Sequence, residues 1–209
     1  MQDRDGITPA HARASGGGST LRLFAALRVG SEVAYDLERH AEVLAARAPG
    51  SLVVPAADMY VSIVDFGRVA EEVVPAVAQA LDLAAPRVYG TVGCTVSGSV
   101  LGDDGRARAV RVSLDLLVLL AVMRDDLLDA TAPYAPELVR EPWEPHVTVL
   151  RAAPESTLPY AATRFDLQPE AGTWLATDVE LVAAITGPLG QHVRRLHSTP
   201  FGAHARTDG

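Results

Sequence analysis

The sequence predicts an α+β fold built from two similar halves, and three observations carry that prediction. Apolar runs of strand length alternate with helix-period segments between residues 20 and 200. Two of the runs, MYVSIVDFG (59–67) and HVTVL (146–150), carry polar residues two apart, Tyr60 with Ser62 and His146 with Thr148. Each run follows a helix-period segment and a short Pro-containing loop, so the halves form a pseudo-repeat. On a strand, residues i and i+2 share a face, so each polar pair projects to one side and its apolar neighbours to the other.

The first residues, ending in Gly16, Gly17 and Gly18, lack the apolar core of a signal peptide and predict a flexible tail over 1–19. LRLFAALRV (21–29) predicts a strand. A helix follows with Ser31 as N-cap, Glu32 in the first turn and Val33, Leu37, Ala41 and Leu44 on one face, ended by Pro49 and Gly50. SLVVP (51–55) predicts a short strand and MYVSIVDFG a long one stopped by Gly67. A second helix is expected from about Val69 to Ala85, with Glu71 and Glu72 at its start, Val73, Val77, Ala80 and Leu81 inward, and Pro75 within its early turns.

GDDG (102–105) joins two strand-like segments as a hairpin, because Asp-Gly supplies the backbone conformations that tight turns need. Leu116 to about Ala130 predicts a third helix with Leu116, Leu120, Met123, Leu127 and Leu128 buried and the charges of DDLLD (125–129) solvated. TWLATDVELVAAI (173–185) and QHVRRLHST (191–199) predict strands around a GPLG turn, and a short tail closes the chain over 201–209. One compact domain over 20–200 fits a chain of 209 residues that is 48% hydrophobic.

A net charge of -8 argues against a broad nucleic-acid-binding surface, although all 18 basic residues are arginines and a few could hold a small anion. No apolar run reaches the roughly 18 residues of a membrane span. The single cysteine, Cys94, fits a reducing cytoplasm and a small core residue. His11, His40, His192 and His204 fall on the tail or on expected surfaces with no metal-ligand spacing. HST (197–199) repeats the His-x-Thr spelling just before Pro200, at a strand end, and is read as chance.

PHVTVLRA (145–152) resembles the second motif of the two-histidine phosphoesterase superfamily, in its 2′-5′ RNA ligase-like and RNA 2′,3′-cyclic phosphodiesterase branch. The resemblance spans residues 21–200: the opening LRLFAAL, MYVSIVDFG where that family has its first His-x-Thr strand, and DVELVAAITGPLGQHVRRL as its closing hairpin. It implies a bilobal fold in which two antiparallel sheets form a central cleft with helices outside. Each sheet there offers one His-x-Thr strand to a cyclic phosphate. One imidazole acts as base toward water and the other as acid toward the leaving oxygen, a task suited to groups titrating near neutral pH.

Carried onto this chain, the resemblance makes His146 an acid or base and Thr148 a phosphate donor. Arg151, at the end of that strand, is either a phosphate partner through its planar fork or an ordinary strand-end surface arginine. Ser62 keeps the hydroxyl of the first motif. Tyr60 stands where the family has histidine; a phenol with an ordinary pKa of about 10 is a poor base at neutral pH but can donate a hydrogen bond or a proton. The implied function is a divergent phosphodiesterase acting on a 2′,3′-cyclic phosphate or other nucleotide phosphodiester, with no metal or organic cofactor. The alternatives are a non-catalytic protein that holds a nucleotide or RNA end, or a cleft turned to other chemistry, since fold does not fix function.

Overall fold

The computed structural model describes residues 19–46, 50–101, 107–135, 143–151, 172–187 and 190–202. The GDDG turn, the middle of GPLG and the expected tails through residue 18 and beyond 202 lie outside the described residues. The elements run β1 (Thr20–Arg28), α1 (Ser31–Ala45), β2 (Leu52–Val53), β3 (Tyr60–Ala70), α2 (Val74–Ala84), β4 (Val92–Leu101), β5 (Ala107–Leu114), α3 (Leu117–Thr131), β6 (His146–Arg151), β7 (Thr173–Ala176), β8 (Asp178–Gly187) and β9 (Gly190–Pro200).

The strand order is β7-β4-β5-β6-β3-β1-β8-β9, antiparallel throughout, with β2 against β6. Two antiparallel sheets, β7-β4-β5-β6 and β3-β1-β8-β9, meet at Val61 opposite Val147. That seam is one residue pair wide among the described residues, so the sheets diverge on either side of it and leave a cleft. Val61 and Val147 are fully buried on the far face, under the helices. There α1 buries Val33, Leu37, Ala41 and Leu44, α2 buries Val77 and Leu81, and α3 buries Leu120, Met123, Leu127 and Leu128. Each of these larger apolar side chains contributes roughly 2 kcal/mol by leaving water. Among the described residues, no helix is long and apolar enough to cross a membrane.

The pseudo-repeat reaches below the level of the motif. Tyr60–Asp65 and His146–Arg151 share one burial sequence: half-buried, buried, half-buried, buried, buried, half-buried. The doubled buried pair marks a bulge in each strand. Ile63 is skipped between the Ala26–Ser62 and Ala25–Val64 pairs, and Val149 between Ala109–Thr148 and Arg108–Leu150. A regular strand would turn Arg151 away from Thr148; the extra residue brings it back to the cleft face.

Five local expectations change. Gly30, not Ser31, caps α1: its backbone is extended and its carbonyl accepts the Ala34 N–H at 2.9 Å, so Ser31 is already helical. Gly67 bends β3 without ending it. At φ 69 it sits in a second register shift, its N–H held by Asp65 Oδ1 at 2.9 Å, and the strand runs on to Ala70. The second helix therefore starts late, after a 3-10 turn over Glu71–Val73, with Pro75 in its first turn where no N–H is needed. Leu116 is partly exposed in a left-handed conformation at the corner before α3, not on its buried face. The run 173–185 divides at Thr177 into β7 and β8, which belong to different sheets. Hydrogen bonding also continues past Pro200, with Phe201 N–H on Thr177 O and Gly202 N–H on Val88 O.

Candidate active site

Antiparallel pairing of Val61 with Val147 sets Tyr60 and Ser62 on the same face as Thr148 and His146, opposite to that of the two valines. Tyr60, Ser62, Thr148 and Arg151 line one cavity of ≈ 100 Å³. Its remaining walls are Phe24 and Ala26 of β1, Val182 and Ala184 of β8, Val193 of β9, and Val54 and Asp58 ahead of β3. His146 does not line this cavity; it lies one strand across from Ser62.

The setting of His146 fixes its tautomer. Its Nδ1 lies 2.8 Å from the Glu144 carbonyl oxygen, which can only accept, so Nδ1 carries a proton and Nε2 keeps the lone pair of the neutral ring. Trp143, three residues ahead, donates its indole N–H to the Ser62 carbonyl at 2.9 Å and pins the approach to β6 onto β3. Arg151 is half-buried at the other end of β6, its pKa lowered by burial and by Arg22 nearby, and partly restored by Asp58. Arg22 is itself paired with Asp65 at 2.7 Å.

Tyr60 belongs to a second cluster. The Arg28 guanidinium lies over its ring at 4.9 Å and holds Glu180 in a fork of 3.0 and 3.1 Å, while Arg195 reaches the same carboxylate at 3.5 Å. Glu180 is only 3% exposed. Burial first, then the charge of Glu180, push the Tyr60 hydroxyl well above the ordinary tyrosine value of 10.0, and Arg28 offsets only part of this. The phenol is therefore a proton holder: it can donate, and it cannot serve as a base near neutral pH.

Three residues of this region are absent from the sequence-level site. Glu180 showed itself only as one acid in an apolar run. Asp58 lines the cavity, accepts the Val193 N–H at 3.1 Å on Oδ1, and holds the His192 ring at 3.2 Å on Oδ2. His192 was expected on a plain surface; it is half-exposed but tied to a cavity residue. The HST segment does sit outside the cleft, where His197 and Thr199 both bond Asp82 Oδ1, at 2.7 and 2.6 Å, and clasp β9 to α2. Cys94 is buried, its thiol pushed up to about 12 mainly by burial, which makes it a poor nucleophile. Among the described residues, no group of three or more His, Cys, Asp or Glu is placed to hold a metal ion.

The sequence matches no family model and no curated protein. Solved structures do match. TT0787 of Thermus thermophilus superposes with a TM-score of 0.71 at 20% identity, covering 88% of this chain and 99% of that one. LigT of E. coli, complexed with 3′-AMP, gives 0.62 at 17% identity, over 88% and 99%. A further crystal structure, described as a phosphoesterase, gives 0.60 at 19% identity, over 87% and 99%. With two antiparallel sheets meeting at paired motif strands, this chain has the fold of the two-histidine phosphoesterases.

Proposed function

We propose that the chain is a divergent phosphodiesterase acting on a 2′,3′-cyclic phosphate or another nucleotide phosphodiester. One observation carries this reading: Ser62, Thr148 and Arg151, drawn from two pseudo-repeated strands, converge on one small cavity beside His146. Two hydroxyls and a guanidinium suit the non-bridging oxygens of a phosphate. LigT, which shares the fold, has been crystallised with 3′-AMP and with phosphate, in keeping with a small nucleotide ligand.

In this mechanism a water oxygen bonds to phosphorus as the P–O bond to one ribose oxygen breaks. His146 Nε2 takes the proton of the water or, when protonated, supplies the one that the leaving oxygen needs. Tyr60, held protonated, orients the ester or donates the other proton. Metal-free assays of nucleoside cyclic phosphates and of short 2′-5′- and 3′-5′-linked substrates test the proposal, and His146→Ala is expected to abolish the turnover found. An active His146→Ala variant would mean that the chemistry uses another group.

A second reading, a nucleotide- or RNA-end-binding protein without turnover, is favoured by the burial of Tyr60 near the Glu180 charge, which holds the phenol protonated, and by the position of His146 outside the cavity wall. Binding without turnover across the same panel selects it. Thr148→Ala and Arg151→Ala are expected to weaken nucleotide binding under either reading.

A further inference from the structure

We infer that Asp58 is a specificity residue that selects singly charged phosphodiesters over doubly charged phosphomonoesters; the inference rests on the phosphate reading of the cleft. Asp58 lines the same cavity as Thr148 and Arg151, and its side chain is only 11% exposed. Its carboxylate is held by β9: Oδ1 accepts the Val193 N–H and Oδ2 faces His192 Nδ1. Each oxygen has further lone-pair capacity, so this fixed negative group still acts on the cavity. Its charge is felt at both Arg151 and Tyr60.

Arg22 is paired with Asp65 and adds little net charge, whereas Glu180 is shared by Arg28 and Arg195 and that cluster keeps one positive charge, which is the same in wild type and in Asp58→Asn. A phosphodiester brings one negative charge to Arg151, whereas a phosphomonoester above its second pKa of about 6 brings two. The second charge meets Asp58 in a small, partly buried space, where like charges repel more strongly than in water. Ring opening of a cyclic diester turns a singly charged substrate into a doubly charged product. Asp58 thereby weakens the hold on product and favours its release.

Dimethyl phosphate and methyl phosphate at pH 8 separate the two charges with almost no change of shape. Titrated into ¹⁵N-labelled full-length protein and followed by NMR, wild type is expected to bind dimethyl phosphate at least as tightly as methyl phosphate. Asp58→Asn keeps the shape and an acceptor for Val193. It is expected to raise methyl phosphate affinity about tenfold and dimethyl phosphate affinity less than about threefold. His192→Gln leaves the carboxylate in place and should preserve the wild-type ratio. Equal effects of Asp58→Asn on both probes, or the same change in His192→Gln, overturn the inference while leaving the phosphate site standing. If neither probe shifts the Ser62 and Thr148 amides, the phosphate reading itself fails and takes this inference with it.

Discussion

At position 60 a phenol stands where the resembled family carries an imidazole, and its surroundings keep it protonated. A histidine side chain has an ordinary pKa near neutral pH. Tyr60→His, alone or with Ser62→Thr, is expected to create or raise hydrolysis of a nucleoside 2′,3′-cyclic phosphate by about 10²–10⁴-fold in metal-free buffer. The gain should vanish when His146 is also replaced. A folded variant with no activity above background would show that the cleft has diverged beyond this position. His146, Thr148 and Arg151 were legible because they fall within eight residues that spell a rare motif. Glu180 was not, since its partner Arg28 lies 152 residues away in sequence.

Among the elements, β6 presents Arg151 to the cavity through its bulge. Alternation alone places Tyr60 with Ser62 and His146 with Thr148, and the sequence displays it. The bulge at Val149 that turns Arg151 inward depends on pairing with β5, which no period along β6 reveals. The same holds for β9. Its HST segment reads as a stray motif, yet His197 and Thr199 bind Asp82 of α2 and hold that carboxyl below its ordinary 3.8, His197 contributing most. With its pKa lowered in the folded state, Asp82 adds stability in full above the unfolded value and loses it as pH falls through the folded one. The melting-temperature gap between wild type and Asp82→Asn should thus be widest above about pH 5 and narrow in stronger acid. A gap that stays constant down to about pH 2 would mean that the clasp does not depend on this charge.

For the whole molecule, Trp174 of β7 ties one sheet to the other through its indole, which donates to the Arg28 carbonyl of β1 at 3.0 Å. Its Cβ would lie 2.7 Å from a Cβ placed on Gly30, so that turn has no room for a larger residue. Gly30→Ala is expected to cost about 1–3 kcal/mol in urea unfolding. The backbone at Gly30 is acceptable to alanine, so the loss is steric and should shrink in the Gly30→Ala, Trp174→Gly pair relative to Trp174→Gly alone. An equal loss in both backgrounds would assign the cost elsewhere.

By itself, the sequence determined the periodic elements, the pseudo-repeat and the motif strand, because each is written in residues close along the chain. The division of 173–185 between two sheets, the capture of Asp58 by β9 and the Glu180 cluster were decided only by the tertiary structure. They depend on which strands become neighbours, and hydrophobic alternation says which way a side chain points without saying what it meets. The cleft's face was therefore readable in advance, while the charges that surround it had to await the fold.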